Sequence, residues 1–203
     1  MTRSMDGGTE AAVATSVRTV ILVEGMSDRL ALESLASRRG RDLRVEGVSI
    51  IAMGGAKNIG RFLDQFRPRG LAVRLAGLCD EAEEPDFRLG LERAGLGSGL
   101  SRADMERLGF HVCVEDLEDE LIRALGAEAV VKVIEARGEL GAFRTLQKQP
   151  AWRGRPIEQQ LRRFLGNRSR KIECAPLLVG ALDLSSVPRP LDEVLRVGQA
   201  DST

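Results

Sequence analysis

The stretch Thr19-Val20-Ile21-Leu22-Val23-Glu24-Gly25-Met26-Ser27-Asp28 decides how the rest of the chain is read. Its first five residues are β-branched or aliphatic, which favours an extended backbone, and so short an apolar run predicts a buried strand. Glu24 and Gly25 end it. Ser27, whose hydroxyl can accept from a free backbone N–H, predicts the N-cap of a helix to about Arg38, with Leu30, Leu32, Leu35 and Ala36 as its apolar positions.

Working outward, strand and helix keep alternating. Residues 45–53 predict a second strand, Gly54 and Gly55 break it, and a helix follows over 56–66. Residues 71–79 predict a third strand ending at Asp80, then an acidic loop, a glycine-rich stretch at 95–99 and a short helix capped by Ser101. Residues 110–114 predict a fourth strand, and 117–125 begin a helical region. This alternation predicts an α/β fold with a Rossmann-like, mainly parallel sheet flanked by helices. Helical patterns continue at 128–137, 156–165 and 171–182. The expected organisation is a flexible tail at 1–16, an α/β domain at 17–127, a helical C-terminal extension packing on it at 128–198, and a frayed end at 199–203.

Composition narrows the function classes. With 43% hydrophobic and 30% charged residues, the chain can form a packed core. Aromatics are 3%, which argues against a recognition surface built on stacked aromatics and so against an RRM-like or OB-fold single-strand binder. Thirty acidic residues balance thirty lysines and arginines, so no global basic field exists. The charges are nevertheless segregated. Acids crowd at Asp80, Glu81, Glu83, Glu84 and Asp86 and again over 115–120, whereas Arg153, Arg155, Arg162, Arg163, Arg168, Arg170 and Lys171 form a basic stretch. Cys79, Cys113 and Cys174 are far apart and lack a CxxC pair, so buried free thiols are expected and a zinc module is not. His111, the single histidine, sits in an apolar run and reads as a core residue. Tyrosine is absent, which excludes a tyrosyl nucleophile. No signal core or apolar span is evident, and a cytoplasmic location is expected.

Ligands of open α/β sheets gather at the carboxyl ends of the strands. Glu24 follows the first strand, Asp80 the third, and Glu118 lies just past the fourth. Each alone also suits a helix cap or a solvated loop. Together they can converge, and convergent carboxylates repel unless a hard cation such as Mg2+ joins them. Gly54-Gly55-Ala56-Lys57 lacks the GxxxxGK[ST] pattern, so no ATP site is expected. It fits either a turn whose N–H groups face an anion or a plain strand-to-helix turn.

These motifs resemble the TOPRIM domain shared by topoisomerases, bacterial primases and several nucleases. The variety is similar to that of OLD (overcoming lysogenization defect) family endonucleases. The resemblance rests on Val20-Ile21-Leu22-Val23-Glu24-Gly25-Met26-Ser27-Asp28, on Ile51-Ala52-Met53-Gly54-Gly55-Ala56-Lys57-Asn58-Ile59, and on Leu75-Ala76-Gly77-Leu78-Cys79-Asp80. Leu117-Glu118 resembles a later LE pair, and Lys171 a lysine of the C-terminal helical region. The resemblance covers 18–125 well and 168–195 more loosely. It implies metal-dependent hydrolysis of phosphodiester bonds in nucleic acid, DNA foremost, by an endonuclease or nickase. It implies that Glu24, Asp28, Asp80 and Glu118 hold one or two Mg2+ or Mn2+ ions, with Glu24, Asp80 and Lys171 catalytic. Gly54, Gly55, Lys57, Arg162, Arg163, Arg168 and Arg170 are then expected to meet phosphates. TOPRIM domains carry Asp-x-Asp after the third strand; Asp80-Glu81-Ala82 keeps only its first member, and Glu83 or Glu84 is the expected substitute. OLD enzymes also join TOPRIM to an ATPase, which here would come from a partner chain; a homodimer is compatible too. A non-catalytic TOPRIM module that binds nucleic acid or a partner, and a nucleotidyl transferase, are the alternatives.

Overall fold

The structure is a computed structural model and describes residues 17–66 and 73–197. The expected tails at 1–16 and 199–203, and the start of the third strand at 71–72, lie outside the described residues. Four strands form the sheet: β1 (Thr19–Val23), β2 (Val48–Ala52), β3 (Arg74–Asp80) and β4 (Phe110–Cys113). Their order is β2-β1-β3-β4 and every pairing is parallel. Ten α-helices accompany them among the described residues: α1 (Met26–Arg38), α2 (Ile59–Phe66), α3 (Glu84–Arg93), α4 (Arg102–Arg107), α5 (Leu117–Leu125), α6 (Ala127–Ala136), α7 (Leu140–Lys148), α8 (Ile157–Leu165), α9 (Arg168–Ala181) and α10 (Arg189–Arg196). None of the described helices is long and apolar enough to cross a membrane.

The period of two along β1 separates two cores. Ile21 and Val23 face α1, α5 and the C-terminal helices, where Leu32, Leu35, Leu121, Leu161 and Leu178 are buried. Val20 and Leu22 face α2, α3 and α4, against Ile59, Leu63, Phe87 and Met105. Both faces of β1 are dry, which is why its sequence is apolar throughout. α9 lies across α1, where Ser34 Oγ donates to the Pro176 carbonyl and an Arg38 N–H to the Val179 carbonyl. That crossing carries the first turn of α9 toward the carboxyl edge of the sheet.

Several boundaries differ from the sequence-based expectation. The supposed acidic loop after Asp80 is a 3-10 turn, Glu81–Glu83, running into α3. Pro85 and the acids suit the first turn of a helix, and Phe87 and Leu91 supply a buried stripe. The N-cap of α1 is the extended Gly25, not Ser27; its N–H donates to the Asp28 carboxylate at 2.8 Å. β2 begins at Val48 because Asp42 Oδ1 accepts the N–H groups of Arg44 and Val45 in a turn that leaves Val45 80% exposed. The helix expected over 56–66 opens with a 3-10 turn, Ala56–Asn58. α7 and α10 were not anticipated. Pro190 lies in the first turn of α10, where its missing N–H costs nothing.

Candidate metal centre

The strand order reverses direction at β1, with β2 on one side and β3 on the other, and α1 and α2 pack on opposite faces. A crevice opens where such a sheet switches direction, beyond the carboxyl ends of the central strands. Val23 pairs with Leu78, so Glu24 and Asp80 emerge side by side. The N–H groups of Gly54 and Gly55 both donate to the Glu24 carbonyl, at 3.0 and 3.1 Å. They hold the Glu24 backbone instead of facing an anion. Gly54 and Gly55 have φ of 74° and 126°, where an L side chain would be strained. Lys57 is exposed on the 3-10 turn, outside the lining of the crevice.

Glu24, Asp80 and Glu83 each bring a carboxylate oxygen to one spot, with all three oxygens within 4.8 Å of one another. Glu83 arrives from the 3-10 turn after β3, and its Oε2 is buried without a hydrogen-bond partner. Glu84, its neighbour, turns away to Arg88 and to Arg102, whose Nε and Nη2 lie 2.8 and 2.5 Å from it. Asp28 and Glu118 stand beside the cluster. Glu118 is 3% exposed; one oxygen meets Lys171 Nζ at 2.5 Å and the other is buried and unpartnered.

The electrostatics record the crowding. Burial, then the neighbouring Glu83, raises the Glu24 pKa. Burial, opposed by the Gly25 N–H and reinforced by Glu118 and Glu24, pushes Asp28 up to about 7. Burial and then Asp28 push Asp80 up to about 8. Burial likewise raises Glu118, against the pull of Lys171. Burial alone would lower the Lys171 pKa, but Glu118 reverses this and raises it, so the ammonium is retained. Carboxyl groups that resist ionisation, beside buried oxygens without a donor, are what a cation would relieve.

The cavity over these groups has a volume of about 630 Å³ and is also lined by Gly166 at the end of α8 and by Arg168 and Lys171 from the start of α9. The candidate arginines divide. Arg162 is held by Asp116 at 2.9 Å and Glu115 at 2.7 Å, and Arg170 by Glu139 at 2.6 Å and the Phe164 ring at 4.1 Å. Arg163 and Arg168 have no carboxylate partner among the described residues, and Arg168 lines the cavity. Asp116, which sequence reading left inside the acidic run, caps α5 by accepting from the Asp119 N–H while clamping Arg162. Its signal was the Asp116-x-x-Asp119 spacing. His111 is buried with its pKa lowered by burial, and all three cysteines are buried and free.

Comparison with known proteins agrees with this geometry. Residues 17–81 match the family model described as overcoming lysogenization defect protein-like, TOPRIM domain. The C-terminal region of the Xanthomonas campestris pv. campestris OLD protein superposes with a TM-score of 0.70 at 24% identity, covering 93% of this chain and 95% of that one. The C-terminal region of the Burkholderia pseudomallei OLD protein gives 0.65 at 21% identity, covering 91% and 98%. At these identities the likeness is one of fold. No curated protein matches the sequence.

Proposed function

On the premise that residues 17–81 are an OLD-like TOPRIM domain, we propose that this protein is a metal-dependent nuclease that hydrolyses phosphodiester bonds in nucleic acid, DNA foremost, as an endonuclease or nickase. The observation that carries the reading is the convergence of Glu24, Asp80 and Glu83 within 4.8 Å at the carboxyl edge of the sheet. The donors are all oxygen, two are strand-end acids, and Glu83 Oε2 lacks a partner, which fits a hard divalent ion such as Mg2+ or Mn2+. In this reading Glu83 takes the part of the missing second aspartate of Asp-x-Asp. Asp28 and Glu118 are the donors for a second ion.

A bound ion supplies Lewis-acid polarisation of the phosphate and makes a nearby water more acidic. The protein's own residues do the remainder. The Gly54 and Gly55 amides hold the Glu24 backbone in place beforehand, so little ordering is left for the moment of binding. Glu118 keeps Lys171 charged and aimed, and Lys171 Nζ offsets negative charge that gathers on the phosphate oxygens. Arg168, at the cavity wall, draws in the nucleic-acid backbone without reading its sequence.

The test incubates the purified protein with supercoiled plasmid and with single-stranded DNA, in Mg2+, Mn2+ or EDTA, beside Glu24→Gln. Cleavage that requires metal and is lost in the variant is expected. Cleavage that persists in EDTA or in Glu24→Gln refutes the metal assignment. A folded wild type that cuts nothing in either metal, alone or with a partner ATPase, transfers the reading to a non-catalytic binding module.

A further inference from the structure

Next to the acidic cavity lies a second groove, of about 510 Å³, which the chemistry above leaves unused. Gly166 and Lys171 line both, so the two form a continuous trench. The far wall of the second groove carries Trp152, Arg155 and Arg163.

Trp152 is the single tryptophan of the chain. Phe87, Phe143 and Phe164 are packed in the cores, but Trp152 is left half-buried in the turn between α7 and α8. That turn is locked from beneath. The buried Gln160 amide donates to the Trp152 carbonyl at 3.0 Å and the Arg155 carbonyl at 2.9 Å, and accepts from Gln147 at 2.7 Å. The indole is therefore presented on a fixed backbone.

Two guanidinium groups flank it. Arg155 and Arg163 stand 5.8 and 6.0 Å from the ring centroid, near the outer limit of a cation–π contact. Neither has a carboxylate partner among the described residues, although Arg155 Nε donates to the Ala151 carbonyl at 3.2 Å, whereas the adjacent Arg162 is held by Asp116 and Glu115. A flat indole flanked by two arginines without carboxylate partners, leading to a lysine and an acidic centre, is complementary to a base, its phosphates and the strand beyond.

We propose that Trp152, Arg155 and Arg163 form a stacking site for one unpaired base of a single-stranded nucleic acid, whose backbone continues past Gly166 and Lys171 into the acidic cavity. The fate of the strand rests on the nuclease reading; the stacking site does not need turnover. Single strands are selected because a paired base has both faces covered by its neighbours, while a free base offers one to the indole. With 3% aromatic residues the chain holds no platform of several rings, and one ring serves one nucleotide.

Because Trp152 is the only tryptophan, its emission reports the site directly. The whole protein in EDTA is titrated with an oligothymidylate single strand and with a mixed-sequence duplex of the same length. Saturable quenching by the single strand, and little by the duplex, is expected. Fluorescence anisotropy of a labelled single strand should show roughly tenfold weaker binding for Trp152→Ala and for an Arg155→Gln, Arg163→Gln double variant. Trp152→Phe, which keeps a ring and the fold, should retain most of the affinity. Absence of quenching by the single strand, equal quenching by duplex, or wild-type affinity in Trp152→Ala overturns the proposal. Quenching by a protein that cuts nothing would retain this site and remove the nuclease; metal-dependent cleavage without quenching would do the reverse.

Discussion

Replacing Asp80 with asparagine should make the metal-free protein more stable near neutral pH while abolishing metal binding. In the folded chain, burial and then the charge of Asp28 push the Asp80 carboxyl from 3.8 up to about 8. In the unfolded chain it titrates near its ordinary value of about 3.9. Between these values the native state keeps a proton that the unfolded chain has released. The stability this group contributes is therefore complete below about pH 4 and is lost as pH rises toward 8. One proton costs about 1.4 kcal/mol per pH unit, hence about 3 kcal/mol between pH 5 and 7. Asparagine stays neutral throughout and keeps an oxygen for the Leu117 N–H, which Asp80 Oδ1 accepts at 3.1 Å. In EDTA, Asp80→Asn should match wild type below about pH 4, and its advantage should grow by about 3 kcal/mol between pH 5 and pH 7, or by roughly 6–12 °C in Tm for a chain of this size. Scanning calorimetry of both proteins at several pH values measures this. The difference between them removes other titrations, such as that of His111, whose lowered pKa makes its own contribution grow with pH. Mg2+ or Mn2+ should then stabilise wild type more at pH 7 than at pH 5, because the ion displaces protons, and stabilise the variant little. Parallel pH curves for the two proteins in EDTA would refute the reasoning.

Lys171→Met should lower the cleavage rate by about 10²–10³-fold in a plasmid-nicking assay, since it removes the cation that offsets transition-state charge; a loss under threefold would contradict the role given to Nζ. Arg168→Ala should reduce the slope of log affinity against log salt by about one, measured by anisotropy with single-stranded DNA. Arg170→Ala, whose guanidinium is already held by Glu139 and Phe164, should leave that slope unchanged, and equal slopes in the two variants would show the division of the arginines to be wrong. Gly77→Ala should cost about 1–3 kcal/mol in urea denaturation, because its Cβ would meet Phe110 Cδ1 at 2.6 Å and the Leu22 carbonyl oxygen at 3.0 Å.

Much of this protein was readable residue by residue. The apolar runs at Thr19–Val23 and Phe110–Val114, each followed by a glutamate, predicted strands because burial on both faces of a parallel sheet leaves no room for alternation. Glu24 and Asp80 followed from their position at strand ends, and the glycine pair from the break after β2. Periodicity is local, so these features needed no knowledge of partners. Helix α3 was missed because a first turn rich in acid resembles a loop until Phe87 and Leu91 are seen to share a buried stripe. Sequence left Glu83 and Glu84 equivalent. The turn after β3 separates them, aiming one at Asp80 and the other at Arg88 and Arg102. It likewise left Arg162 and Arg170 among the phosphate-binding candidates, although both are tied to acids on other elements. Lys171 meets Glu118 across 53 positions of sequence because α9 packs over α1, and only that packing places its ammonium beside the carboxylates. The sequence by itself determined the four strands, most of the helices and the acids at the strand ends; tertiary structure alone decided which charged groups meet, because side chains at the ends of different elements are brought together by core packing that no local pattern encodes.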